Sequence, residues 1–538
     1  MAEAEGEDAA STSSQEDRQL LAEVRAEAEG RPEVVKHKNL DDFLTLGRYT
    51  LFFLFNTEMM TLTSLICANP IIRSCGEVVF ENQKDACRQL PNLTTTTGCV
   101  PQLEYQFYSV NVEFNYLCQE EKLVKNSISV QMLGVLFGAV IFGQVSDSYG
   151  RKFTILISLF GIAVTSLMNA YVPSFFYFYW IRILVGFFTG GLSTSMGVYQ
   201  VENIPMKHRM WISTVITWSP NFIIFPIIAY YCHDWRTLLK ANAICAILSA
   251  VCISFIYESP RFLIQKGRVE EARRIFAKIR KIDRNSDYNP QELEAMLVHE
   301  QENHEKRVKK QRQYTYYHII CTWEMISWTC TLAIGIAITS LTNYGLMFNM
   351  EKLSGSLYWN NVFMGIIRWT MNIAVGLSDY KLPWFGRKVI NMMALVFNGF
   401  CLACVCVLYY TGTQNDGGWV LRYCTIGATA MCSQLYLSKF MACNELYPTS
   451  VRNLAVAVLA MFSRIGTIVA PQLFYLSDIS AVLPYLALLA FTLFDAFLFQ
   501  VFIPETKGTP LPDNLPPKEQ RLFYREKKRR VSLITEAI

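Results

Sequence analysis

The sequence predicts an all-α polytopic membrane protein with twelve transmembrane helices in two six-helix halves. Three observations carry that expectation. The 538 residues are 52% apolar and only 17% charged, where ordinary soluble domains carry about 25% charged residues. The apolar residues come in runs of about 20, enough to cross a hydrocarbon core of about 30 Å. Three motifs also recur in the same order. E-N-I-P-M-K-H-R (Glu202 to Arg209) returns as E-L-Y-P-T-S-V-R (Glu445 to Arg452). S-D-S-Y-G-R-K (Ser146 to Lys152) returns as S-D-Y-K-L-P-W-F-G-R-K (Ser378 to Lys388). Glu258 in E-S-P-R-F-L is matched by Glu505 in P-E-T-K-G. Repeats of this kind mean that one unit of roughly 240 residues is used twice.

In chain order, residues 1–42 are acidic and polar, with no basic start leading into an apolar run, and read as a cytoplasmic arm without a signal peptide. The N-terminal half spans 43–257, and its first span is 43–68. Residues 69–125 form a long polar loop with Cys75, Cys87, Cys99 and Cys118 and the sequon Asn92-Leu93-Thr94. An even cysteine count beside a sequon predicts an extracellular loop with two disulfides and a glycan on Asn92; four cysteines leave three pairings open. Spans two to six are placed at 127–146, 153–171, 174–200, 211–232 and 237–257. Residues 258–317 are too polar to cross lipid and include an amphipathic stretch from Glu270 to Lys281, read as short helices at the inner surface. Spans seven to twelve, at 318–348, 357–378, 389–411, 419–443, 453–476 and 480–503, make the C-terminal half. Residues 504–538 form a tail with a basic run, Arg525 to Arg530.

The linker 258–317 holds 14 Lys and Arg, while the opposite short loops after spans three, nine and eleven hold none. Positive loops stay in the cytoplasm, which places both termini inside and the cysteine loop outside. The repeated motifs then share the inner rim. Each glycine allows a tight turn, and each motif proline stops a helix. Asp147, Arg151, Lys152, Glu202, Arg209 and Glu258 in the first copy can form an ionic latch, and Asp379, Arg387, Lys388, Glu445, Arg452 and Glu505 the same in the second. The alternative is charge that only orients the chain. Three pairs matched in sign and order favour the latch, and two parallel six-helix copies with a site between them are a transporter architecture.

G-Q-V-S-D-S-Y-G-R-K resembles the signature loop of the major facilitator superfamily. The cysteine loop narrows this, as do E-S-P-R-F-L with K-G-R-V-E-E-A-R-R-I, N-Y-G-L (Asn343 to Leu346), N-E-L-Y-P-T-S-V-R-N and P-E-T-K-G-T-P-L-P-D. From about residue 40 to 515 the chain is similar to the organic cation, anion and zwitterion transporters, solute carrier family 22. The resemblance implies the major facilitator fold and uptake or exchange of small organic ions by alternating access. One departure is local: Tyr380 to Trp384 lengthen the second signature loop.

Charges inside spans are costly, roughly 2.5–3.5 kcal/mol each at mid-bilayer, and mark sites by default. Arg464 lies in span eleven at a position that the resemblance makes acidic in cation transporters and Arg in anion and carnitine transporters. Arg368 in span eight adds a second positive charge to the cavity. Arg182 in span four matches a common superfamily arginine. Each could instead pair internally with Glu58, Glu324 or Asp495. Glu58 in span one can receive an ammonium, and Lys439 near the inner end of span ten can snorkel. Tyr344, Trp218, Tyr230, Trp359 and Trp369 are ring candidates for cations. The expected substrate is a small organic ion, with a lean to carboxylates or zwitterions. An organic cation uniporter and a non-transporting membrane glycoprotein on the same scaffold are the rivals. No P-loop, H-E-x-x-H or G-x-S-x-G points to an enzyme, a metal or a cofactor. No basic stripe with interleaved aromatics points to nucleic acid. The partners expected are the substrate ion and the lipid bilayer; oligomeric state is not legible.

Overall fold

The computed structural model describes residues 71–75, 78–80, 83–118, 120–204, 220–283, 290–309, 316–348, 350, 353, 355–382, 386–413, 417–448 and 451–507. The expected first span with Glu58, and the stretch 205–219 with Arg209 and Trp218, lie outside the described residues. Among the described residues, eight helices are long and apolar enough to cross a membrane. They are α3 (Glu121–Tyr149), α4 (Arg151–Ala170), α5 (Phe175–Asn203), α7 (Trp235–Ser254), α11 (Trp323–Phe348), α13 (Arg387–Thr411), α15 (Arg452–Leu473) and α16 (Leu483–Phe502). The shorter α6 (Asn221–Cys232) is also apolar. Two further long helices, α12 (Leu357–Lys381) and α14 (Gly418–Leu446), occupy the positions expected for spans eight and ten. Their apolar content is diluted by Arg368 and Asn372, and by Gln434 and Lys439, all of them buried. These two helices turn polar groups into the protein.

The expected polar loop is itself folded. Strand β1 (Ile71–Cys75) pairs antiparallel with β2 (Val78–Val79) and with β3 (Pro101–Glu104). Helix α1 (Gln83–Thr97) packs on this sheet, and a single turn, α2 (Val110–Glu113), follows. The disulfides are Cys75–Cys99 and Cys87–Cys118. They enclose a small core of Cys75, Phe80, Ala86 and Leu90, too small to hold a fold without covalent staples. Asn92 is exposed on α1. Span two begins earlier than expected, at Glu121 rather than 127, because the polar first turn of α3 continues an apolar helix.

The chain divides into two compact units. Among the described residues, the first comprises 201–204, 258–283 and 290–309. Within it lie α8 (Pro260–Gln265), α9 (Val269–Asp283) and α10 (Pro290–Lys309). Ser259 caps α8 through the Phe262 N–H, with Pro260 in the first turn. On α9, Val269, Ala272 and Phe276 recur at helical spacing and pack against Phe262, Leu293, Met296 and Leu297. Arg273 of α9 pairs with Glu294 of α10.

Among the described residues, the second unit comprises those within 71–200, 220–257 and 316–507. Its most extensive helix pairs are α11 with α15, α13 with α14, and α4 with α7. Helices α3 and α5 cross with their backbones nearly touching: a Cβ on Gly138 would stand 1.9 Å from the Phe187 carbonyl oxygen, and one on Gly190 2.2 Å from that of Val135. Small residues permit the close approach that holds helices together in lipid. Two further pairs join the halves, α3 with α15 and α6 with α12. These are spans two with eleven and five with eight, which exchange under the sequence repeat.

Candidate functional site

The turns carrying the repeated motif lie at one end of the bundle, here the turn end; the stapled loop marks the other, the disulfide end. In the second half, Gly386 leads into α13, and Arg387 is buried at its first position. Its Nη1 donates to Asp379 Oδ1 of α12 at 2.8 Å, and its Nη2 to Glu445 Oε1 of α14 at 3.0 Å. Thr506 Oγ1 donates to Glu445 Oε2, and Lys507 Nζ reaches Asp379 Oδ1 at 3.0 Å. Glu505 accepts backbone N–H groups of Arg387 (2.9 Å) and Lys388 (3.1 Å) and so caps α13. A Cβ at position 386 would sit 2.3 Å from Glu505 Oε2, which requires glycine there. Burial opposes ionisation of Glu505. Four backbone N–H groups, those of Lys507, Lys388, Arg387 and Thr506, outweigh it and hold the carboxyl below its ordinary range.

In the first half, Gly150 turns the chain with φ +121°. The buried Arg151 donates to Asp147 Oδ1 at 2.6 Å and to Ser146 O at 2.8 Å, and Lys152 Nζ donates to Ser254 O at 2.9 Å. Glu258 accepts the Ser259 N–H at 2.9 Å; it and Glu202 belong to the first unit. In the second half, Arg452 Nε donates to Tyr447 O at 3.3 Å. Arg209 lies outside the described residues.

The membrane-embedded charges divide into satisfied and unsatisfied groups. Arg182 is buried, donates to Ser127 Oγ at 3.0 Å and stacks over Phe178 at 5.0 Å; these contacts pack it among helices. Lys439 does not snorkel. It is fully buried, and its Nζ donates to Asp495 Oδ2 (2.5 Å), Thr339 Oγ1 (2.7 Å) and Gly335 O (2.8 Å). Among the described residues, Asp495 is therefore the partner of Lys439 and of no arginine, because three spans converge there and an unpaired ion would cost several kcal/mol. Arg368 is 8% exposed and lies over the Phe222 ring of α6 at 4.7 Å. Its Nε and Nη1 have no hydrogen-bond partner among the described residues. Tyr436, Cys432 and Tyr344 are its electrostatic neighbours. Arg464 on α15 is half-buried, with no carboxylate pairing among the described residues. Trp359 is exposed, and Tyr230 meets Tyr358 edge-on at the disulfide end.

Sequence reasoning overlooked several of these groups. Lys507 and Thr506 stood inside a motif singled out only for its glutamate. Tyr436 donates to Ser340 Oγ at 2.8 Å, and Ser340 meets Ser463 at 2.9 Å, next to Arg464. Hydroxyls scattered over three helices have no spacing signal. Phe222 was one apolar residue among many.

Solved structures resemble this fold across most of the chain. The major facilitator superfamily proton:xylose symporter XylE bound to 6-bromo-6-deoxy-D-glucose matches with a TM-score of 0.58 and 16% identity, over 86% of this chain and 98% of that one. An inward-open conformation of the xylose transporter XylE from E. coli also gives 0.58, at 15% identity, over 86% and 96%. These likenesses establish the major facilitator fold. Among curated relatives, organic cation/carnitine transporter 2 of Homo sapiens is 29% identical over 421 residues, 76% of this chain and 71% of the relative. Organic cation transporter protein of Drosophila melanogaster is 29% identical over 413 residues, 76% and 73%. Solute carrier family 22 member 4 of Mus musculus is 29% identical over 449 residues, 82% and 78%. Residues 90–513 match the sequence profile of the sugar (and other) transporter family. That match covers well over half of the chain, and with the fold it makes this multi-pass membrane protein a member of the sugar (and other) transporter family.

Proposed function

We propose that this transporter moves small organic ions across the plasma membrane by alternating access, and that its preferred substrates bear a carboxylate, as organic anions or zwitterions such as carnitine. The observation that carries this reading is Arg368, buried between α12 and Phe222 with two N–H-bearing nitrogens unpartnered among the described residues. A buried donor without an acceptor is costly, and a carboxylate accepts charge-assisted hydrogen bonds from a guanidinium. Arg464 lends a second positive charge. Lys439 and Asp495 neutralise each other, so they contribute no net charge to the cavity. The names of the relatives, organic cation/carnitine transporter 2 among them, agree with a small organic ion.

In this reading both termini are cytoplasmic, the disulfide loop is extracellular and carries a glycan on Asn92, and the turn end is the cytoplasmic gate. The halves are 43–257 and 318–503, with 258–317 as linker. The second reading is an organic cation uniporter, favoured by the name of the Drosophila relative; it would use Glu58 and ring candidates such as Trp218 and Tyr344.

Uptake in cells expressing the full chain separates these readings. Labelled carnitine, tetraethylammonium and an aromatic carboxylate are offered with and without sodium and a pH gradient. Arg464→Ala and Arg368→Ala should each cut carboxylate uptake at least tenfold while surface expression persists. Carboxylate uptake unchanged in both variants would end the assignment. Tetraethylammonium flux without carnitine flux would select the uniporter.

A further inference from the structure

The segment from Tyr105 to Ser109 leaves the stapled sheet and crosses the disulfide end of the bundle. On one side it is stitched to the first half. The Tyr108 N–H donates to His233 O at 3.0 Å, and the Trp235 N–H donates to Tyr108 O at 3.1 Å. On the other side Gln106 reaches the second half. Its Oε1 accepts the Leu357 N–H at 2.7 Å, its Nε2 donates to Gly355 O at 3.4 Å, and its backbone oxygen accepts the Tyr358 hydroxyl at 3.1 Å.

The first of these contacts has a specific consequence. Leu357 is the first residue of α12, and the first N–H groups of a helix have no partner within it. Ser356, in the N-cap position, makes no side-chain cap. Gln106 supplies that acceptor from the other half of the molecule. The helix so capped is the one that carries Arg368. Other contacts cross between the halves toward the same end. Asn126 Oδ1 of α3 accepts from Gln472 Nε2 of α15 at 2.8 Å and from the Tyr475 hydroxyl at 2.6 Å. Ser129 Oγ of α3 donates to Ile468 O of α15 at 2.8 Å.

We infer that Gln106 is a clasp by which the disulfide loop holds the disulfide end of the transport path shut. The halves cannot separate at this end without breaking the Gln106 contacts and uncapping α12. The loop is thereby a working part of the gate, and Gln106 a positioning residue for the transport cycle. The inference rests on the transporter assignment and is independent of substrate class.

The test reads opening directly, without any substrate. Ser129→Cys is introduced into the full-length protein in lipid nanodiscs, and its labelling by a water-soluble maleimide is followed against the parent chain. Adding Gln106→Ala removes two side-chain hydrogen bonds and should raise the labelling rate about tenfold. Gln106→Glu keeps an acceptor for Leu357 and loses the donor to Gly355, so its rise should be smaller, about threefold. If Gln106→Ala fails to give monodisperse protein, Gln106→Asn, one methylene shorter, replaces it with the same expectation. An unchanged labelling rate in folded Gln106 variants overturns the clasp. A raised rate in a chain that fails the uptake panel upholds the clasp and sinks only the substrate reading.

Discussion

In the first half, Arg151 reaches Asp147, four positions earlier in the same motif, and the Asp147 side chain is 73% exposed. In the second half, Arg387 reaches Asp379, eight positions earlier, and Glu445, 58 positions later, with both carboxylates mostly covered. The residue types match between copies; the reach of the contacts does not. The first pair is local and would form in any helix–turn–helix of that sequence. The second ties the ends of α12, α13 and α14 to the segment after α16, because Glu505, Thr506 and Lys507 fold back onto the same cluster. A charge pair set by sequence spacing and one set by convergence of distant segments should therefore respond differently to the same substitution.

The largest difference is expected at the arginine that gathers the second cluster. Arg387→Ala removes the only guanidinium shared by Asp379 and Glu445 among the described residues, leaving Asp379 to Lys507 and Glu445 without its ion pair in a largely covered site, and breaking such a network costs on the order of 3 kcal/mol. Thermal unfolding of the full chain in nanodiscs measures it. A loss no larger than that of a surface pair would show that the convergence adds nothing to stability.

Matched substitutions sharpen the contrast. Asp379→Asn weakens contacts to both Arg387 and Lys507 and should cost about 2 kcal/mol, short of the cost of a fully buried pair. Asp147→Asn removes one carboxylate facing solvent and should cost under about 1 kcal/mol. Equal losses would mean that the two turns are energetically alike, whatever their geometry.

The smallest effect is a pH dependence. The Glu505 carboxyl is held below its ordinary value of 4.5 in the folded protein. A depressed acid contributes stability that is fully present above the unfolded value and is lost as pH falls through the folded one. As pH falls from about 5 to well below 4.5, Glu505→Gln should therefore lose less stability than the parent. The two curves should converge at the acid end. Parallel curves over that range would show that capping of α13 does not depend on the carboxylate charge.

Much of this was legible in the sequence, and the reason differs from residue to residue. Asp147 and Arg151 could be grouped on paper because both lie in one short motif, on either side of the Gly150 turn. The duplication could be read because matched motifs kept their order. Cys75, Cys87, Cys99 and Cys118 could be grouped by their place in one polar stretch, but their pairing could not, since it depends on how α1 lies on the sheet. Lys439 was misread for a related reason. Its position near a helix end suggested snorkelling, and only the arrival of Asp495 and Thr339 from two other helices made burial affordable. Gln106 carried no signal at all, since a glutamine in a polar loop is unremarkable until it meets the uncapped start of a helix about 250 residues downstream.

The sequence by itself determined the helical membrane class, the doubled six-span plan and the local ion pair of the first turn. Each follows from composition, from period or from neighbours within one short motif. Tertiary structure alone decided which buried charges neutralise each other, which guanidinium has donors without a partner among the described residues, and which loop caps which helix. Those outcomes depend on side chains brought together from segments tens to hundreds of residues apart, and nothing in local spacing encodes that convergence.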